Sequence, residues 1–365
     1  MNLKKAALKL HEKLKGKIEI KPKIKVNKNI LSLIYTPGVA QASLSIFKNK
    51  KNSYKYTWKS NNLAIISDGS RLLELGNKGG EAAIPVMEGK ALLYKEYGDI
   101  NAIPICLKTQ EKWEIINLVE NIALNFGAIN IEDIEAPKCF EIVDDLSKKL
   151  SIPVFHDDQH GTAVVVLAAL INSLKLVKKK LDKVKIVVLG AGAAGYGITK
   201  LLNYAGAKNI LVLDSQGIVS PKRYDLNMYK LYLAKITDAS EEGTLKDAIK
   251  NADVFIGVSG QENILSLNLV KKMNNDAIIF ALSNPNPEIL PNKARKSKNV
   301  KIIATGRGDF NNQVNNALVF PFIMRYILDK KIININEKLL YDFAKKLAKE
   351  TKNLNFNHII KGLIK

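Results

Sequence analysis

Residues Val184–Leu189 form an unbroken apolar run that passes directly into Gly190-Ala191-Gly192-Ala193-Ala194-Gly195 and then into an apolar helical pattern through Leu202. No other segment restricts the possible folds as much. A buried strand, a turn spelled G-x-G-x-x-G and a helix, in that order, open a βαβ unit that binds a dinucleotide. Gly190 permits the tight turn, Gly192 lets the backbone approach the pyrophosphate, and Gly195 lets the helix pack closely on the strand. Ala193 and Ala194 complete the predicted cofactor-binding turn, where unpaired N–H groups and the helix dipole face phosphate. A second strand, Asn209–Leu213, ends at Asp214, about 20 residues past the glycines, where such folds place the acid that takes the ribose hydroxyls. A carboxylate there repels a 2′-phosphate, so NAD is preferred to NADP. Arg223, a little further on, leaves use of both open.

Apolar strands continue to alternate with helical patterns at Val254–Val258, Ala277–Ala281 and Lys301–Ala304. Such alternation predicts a parallel sheet covered on both faces. Shorter strands precede it at Leu63–Ile66, Ile103–Leu107, Ile129–Ile131 and Ile152–Phe155, with helices predicted over 81–97, 111–126 and 139–150. Residues 1–16 pattern as a basic helix. Residues 17–26 alternate as an edge strand with Pro22 on its open side. Thr162–Val177 reads as an apolar helix with Thr162 as its N-cap. The fold class is therefore α/β. An N-terminal α/β catalytic domain over residues 1–160 precedes a Rossmann-like, doubly wound parallel-sheet NAD-binding domain with a C-terminal helix over 161–365.

The formal net charge of +21 raises nucleic acid as a partner. The lysines, however, are scattered along the chain, which is the pattern of a solvated basic surface, and no nucleic acid is expected. The two cysteines, Cys106 and Cys139, fit no CxxC spacing, so a zinc ribbon and a thioredoxin-like site are excluded. Cys106 lies in an apolar run and is expected to be a buried thiol. Met1–Leu14 lacks a signal-peptide apolar core. The longest strongly apolar run, Ala163–Ile171, is shorter than the ~20 residues a membrane span needs. A cytoplasmic protein with no membrane partner is expected.

Two pairs of acids, Glu132-Asp133 and Asp157-Asp158, each follow a short strand. From these segments alone, solvated surface acids are the preferred reading. The alternative is a Mg²⁺ or Mn²⁺ site, because such ions take oxygen donors. His156 and His160 stand four apart but lie in a strand-to-helix turn, so a zinc pair is discounted. Taken singly, Tyr35 before Thr36-Pro37-Gly38 reads as a packed turn residue and Lys90 as a solvated helix residue.

Together, however, several motifs resemble the malic enzyme family, in its short prokaryotic type. They are Tyr35-Thr36-Pro37-Gly38-Val39-Ala40; Ser67-Asp68-Gly69 through Leu75-Gly76-Asn77; Pro85–Lys90; Ile131-Glu132-Asp133; His156–Thr162; Ser283-Asn284-Pro285; and Gln313–Asn316. The resemblance covers nearly the whole chain and implies oxidative decarboxylation of malate to pyruvate and CO₂, with NAD and a divalent metal, in at least a homodimer. It implies Tyr35 as general acid, Lys90 as general base and Asp157 as the carboxylate beside it. It further implies Glu132, Asp133 and Asp158 as metal ligands. Asn284 and Asn316 would touch substrate and nicotinamide, and Arg71 would bind a substrate carboxylate. The chemistry needs these types: a base at the 2-hydroxyl, a cation to draw electrons from the breaking C–C bond, and a weak acid to protonate C3. Such a lysine needs a lowered pKa, which partial burial and a nearby cation favour. Two departures stand out. Glu74 takes a position where the family commonly has glycine, and the C-terminus is short for the family. The nearest alternative is a malolactic enzyme that keeps its NAD and yields lactate. A more distant one is a non-catalytic, NAD-binding or nucleic-acid-associated protein.

Overall fold

A computed structural model of the chain describes residues 3–73, 75–237, 239 and 242–363; Glu74 lies outside the described residues. Two sheets organise the fold. The first contains β1 (Asn62–Ser67), β2 (Asn101–Cys106), β3 (Ala128–Ile131) and β4 (Val154–His156), all parallel, in the order β2-β1-β3-β4. Central β1 is buried along its whole length, as a strand with helices on both faces must be. Its parallel neighbours require crossovers, which the helices Gly79–Gly98, Lys112–Ile122 and Lys138–Lys149 supply.

The second sheet contains β5 (Lys185–Leu189), β6 (Asn209–Asp214), β7 (Gly217–Ile218), β8 (Val254–Gly257), β9 (Ala277–Ala281) and β10 (Val300–Thr305), in the order β10-β9-β8-β5-β6-β7. All pairings are parallel except β6–β7. The strand order reverses beside β5, which leaves a crevice at the carboxyl ends of the strands, the usual dinucleotide position. The Rossmann-like sheet predicted from the sequence is present. Strand β7 was not predicted; two residues carry no periodicity.

Helix Asp157–Val177 leaves β4 without a loop and packs on helices Ala193–Tyr204 and Glu337–Glu350 of the second half. It is long and apolar enough to cross a membrane, yet 72% of that window is buried inside the fold. Asn172 Nδ2 ties it to Ala348 O (3.0 Å) and Ile359 O (2.9 Å). Thr162 is not its N-cap, because the helix already starts at Asp157. Asp157 and Asp158 occupy its first turn, where negative charge suits the dipole.

The N-terminal segment differs from the sequence reading. Residues 17–26 form no strand, and Ile18, Ile20 and Ile24 are exposed. Helices Leu3–Leu14, Lys28–Ile34 and Val39–Lys48 bury no residue. Lys28–Lys48 also passes the length and hydropathy test for a span, with none of it buried, but a turn at 35–38 divides it into two helices. Cys106 is only half-buried at the end of β2, and Cys139 is the buried thiol.

Candidate active site

Helix Gly79–Gly98 buries Ala83, Met87, Lys90, Ala91 and Tyr94 on one stripe, the spacing of a single helix face. Lys90 is therefore carried inward rather than to solvent. Its Nζ donates to Glu132 Oε1 and to Asp157 Oδ2, each at 2.5 Å, and lies 4.2 Å from the centre of the Phe320 ring. Behind it, the Tyr94 hydroxyl donates to Asn130 Oδ1 (2.8 Å), and Asn130 Nδ2 donates to Glu132 Oε2 (2.8 Å). Gly161 leaves room for Asp157: a Cβ there would overlap Asp157 Oδ1.

Burial on its own would favour a neutral Lys90 amine, but Asp157 and Glu132 outweigh it and raise its pKa. The sequence reading asked for a lowered value, so this arrangement holds the proton. Burial raises the Glu132, Asp133 and Asp157 carboxyls, in each case with help from Asp158. Asp158 moves down instead: burial opposes this, but the His156 imidazole, with Nε2 3.5 Å from Oδ2, and the Lys90 ammonium prevail. The Asp133 N–H donates to the same Asp158 Oδ2 at 3.3 Å.

Glu132, Asp133 and Asp158 are neighbours lining one cleft. Among the described residues, no three His, Cys, Asp or Glu side chains are grouped as a ready cation cage. Both Glu132 oxygens are engaged, by Lys90 and Asn130. The donor chemistry nevertheless fits a hard divalent cation. Asp133 Oδ2 is buried without a hydrogen-bond partner among the described residues. Four carboxylates crowd around one ammonium, a surplus of negative charge that burial penalises unless a cation offsets it.

The cleft, about 740 Å³, runs from Lys90, Glu132 and Asp158 past Arg71, Asn284 and Asn316 to Gly192, Ala193 and Ala194. A second cavity of about 600 Å³ shares Arg71 and Gly192 with it and continues past Gly190 to Asp214, Lys230 and Ser259. Gly190 has φ +118°, and a Cβ on Gly195 would overlap its carbonyl oxygen, so both glycines are required as the motif predicts. Asp214 caps β6 but is not a free acid. Arg223 Nη1 donates to it at 2.8 Å and Lys230 Nζ at 2.6 Å. These cations offset the repulsion of a 2′-phosphate on which the preference for NAD rested. Buried Glu288 accepts from the Ser259 and Ser283 hydroxyls (3.0 and 2.6 Å) and so ties the loops after β8 and β9 together beside Asn284.

Tyr35 is not brought to this cleft within one chain. It is 67% exposed, on the turn between two unburied helices. Phe320, Asn130, Tyr94 and Glu288 escaped the sequence reading. Only Tyr94 had a visible signal, sharing the helical stripe of Lys90.

A Rossmann-like sheet facing a buried lysine–carboxylate cluster defines a dinucleotide-binding oxidoreductase. The profile "Malic enzyme, N-terminal domain" matches residues 15–114, and "Malic enzyme, NAD binding domain" matches residues 159–361. The chain belongs to the malic enzyme family. It is 47% identical to the bifunctional malic/malolactic enzyme of Bacillus subtilis, over 93% of this chain and 83% of that one. It is 49% identical to the NAD-dependent malic enzyme of Geobacillus stearothermophilus (91% and 70%) and 45% to the NADP-dependent malic enzyme of Halomonas elongata (92% and 79%). The crystal structure of the NAD-dependent malic enzyme from Thermotoga maritima superposes with a TM-score of 0.94 at 46% identity, covering 98% of this chain and 95% of that one.

Proposed function

We propose that the protein oxidises malate and decarboxylates it to pyruvate and CO₂, reducing NAD in the presence of Mg²⁺ or Mn²⁺. The observation that carries this reading is Lys90, buried and bonded to Asp157 and Glu132, at the floor of a cleft that continues into the glycine turn. Glu132, Asp133 and Asp158 would hold the cation, and Gly190–Gly195, Asp214 and Asn284 the dinucleotide. A bound divalent cation would supply Lewis-acid chemistry there, and a bound nicotinamide would supply the hydride acceptor. Lys90 takes the proton of the 2-hydroxyl. To do so it must first become neutral, and withdrawing Glu132 removes one of the two anions that hold its proton, after which burial favours the free amine. Asp157 keeps the amine aimed. Arg71, Asn284 and Asn316 orient the two carboxylates of malate, and Tyr35 returns a proton to C3.

We infer that the working unit is a homodimer in the cytoplasm. The arm around Tyr35 exposes Leu8, Leu33 and Phe47, an apolar surface suited to burial against a second copy. That docking would deliver Tyr35 to the neighbouring cleft.

Two further readings have support. Arg223 and Lys230 favour acceptance of NADP beside NAD, and the Bacillus subtilis relative is named for malolactic as well as malic activity. Purified protein assayed with malate and either NAD or NADP, with and without EDTA, tests them all. Reduced cofactor and pyruvate, both lost with EDTA, are expected. Lactate without net NADH supports the malolactic reading.

A further inference from the structure

The face of helix Asp157–Val177 turned away from the cleft meets a third cavity, of about 200 Å³. Its lining comes from helices Lys138–Lys149, Ala193–Tyr204 and Glu337–Glu350 as well. Two buried polar side chains from the first turns of Asp157–Val177, Gln159 and His160, line it. His160 Nδ1 accepts the His156 N–H at 3.2 Å, so the ring proton sits on Nε2, which has no hydrogen-bond partner among the described residues. Among the described residues the Gln159 amide, also on the cavity wall, has none either. Both side chains are less than a tenth exposed yet line the cavity, so these donors are left for whatever occupies it.

Around these neutral donors the charges are divided. Lys200 stands on one wall and pairs with Glu337 at 2.9 Å. Asp144 stands on another; its Oδ2 takes the Tyr229 hydroxyl at 3.0 Å, which leaves Oδ1 for a ligand. Donors at the floor with a cation beside them suit a carboxylate, and the acids suit an ammonium. A plain anion would meet Asp144 and Glu337 unfavourably, and a plain amine would meet Lys200.

We propose that this cavity binds a small free zwitterion of the α-amino acid class, its carboxylate on Gln159, His160 and Lys200 and its ammonium on Asp144 and Glu337. The volume admits a short side chain and no nucleotide. The same helical turn carries Asp157 to Lys90, so occupancy is expected to alter malate turnover. That consequence rests on the function proposed above, whereas the binding itself does not.

The test is calorimetric titration and thermal unfolding of the full chain with glycine, L-alanine and L-serine, and with propionate and ethylamine as half-charged controls. At least one amino acid is expected to bind at roughly millimolar concentration and raise the unfolding temperature, as a ligand of the native state does. The controls are expected to bind at least tenfold more weakly. Ser147→Trp, on the exposed rim, should fill the cavity without disturbing the core, and Lys200→Met should remove the cation. Each should weaken amino-acid binding at least tenfold. No heat and no shift with any amino acid overturns the proposal. So does binding that both variants leave unchanged, since it would then occur elsewhere, the malate cleft included.

Discussion

Lys90 and Tyr35 are proposed for the same reaction, yet their surroundings are opposites. Lys90 is 9% exposed, with its nitrogen bonded to two carboxylates and its helix packed on the first sheet. Tyr35 is 67% exposed, on an arm whose helices bury nothing. One half of the proposed acid–base pair is preorganised by the fold of a single chain; the other is only carried by it. Preorganisation of this kind needs a buried helix face, whereas delivery of Tyr35 needs an apolar surface still looking for cover.

Four measurements break or sharpen that contrast. The largest effect is expected at Lys90: Lys90→Ala should lower malate oxidation by about 10³-fold, within the range of a lost general base, with NAD affinity unchanged by fluorescence titration. Turnover near wild type would remove Lys90 from the mechanism. Next, Tyr35→Phe should reduce pyruvate formation by about 10²-fold. Mixing that variant with Lys90→Ala should restore turnover if the two groups meet across copies; a mixture as inactive as its parts would place them in one chain. Third, Gly161→Ala should destabilise by about 1–3 kcal/mol through overpacking against Asp157, seen as a lower unfolding temperature. An unchanged temperature would mean that the Lys90 floor is looser than its contacts suggest. The smallest change in stability is expected at Leu33, 67% exposed on the arm. Leu33→Ser should alter unfolding of the separated subunit by no more than about 0.5 kcal/mol, yet raise the concentration at which subunits associate, read by sedimentation. Association unaffected by the change would leave the arm without its proposed role.

Much of the second half was legible because its signals are local. Val184–Leu189, the glycines and Asp214 are adjacent in sequence to the elements they define, and the strand, turn and acid all appear where the pattern puts them. The start of helix Asp157–Val177 was less so. Asp157-Asp158-Gln159-His160-Gly161 reads as a polar turn, but the ion pair from Asp157 to Lys90 and the burial of Gln159 and His160 make it helix. Residues 17–26 show the reverse failure: alternating isoleucines predict a strand, but no neighbouring strand pairs with them. The partners of Asp214 were hidden for another reason. Lys230 reaches back from a separate helix, a contact that no spacing rule encodes.

Helix Asp157–Val177 begins at the last residue of the first sheet and ends among the helices of the second. A rod rooted in one half and embedded in the other ties the two together. Asp157 and Asp158 sit at that root. The carboxylates at the bottom of the crevice are thereby anchored on the same rod that both halves pack against.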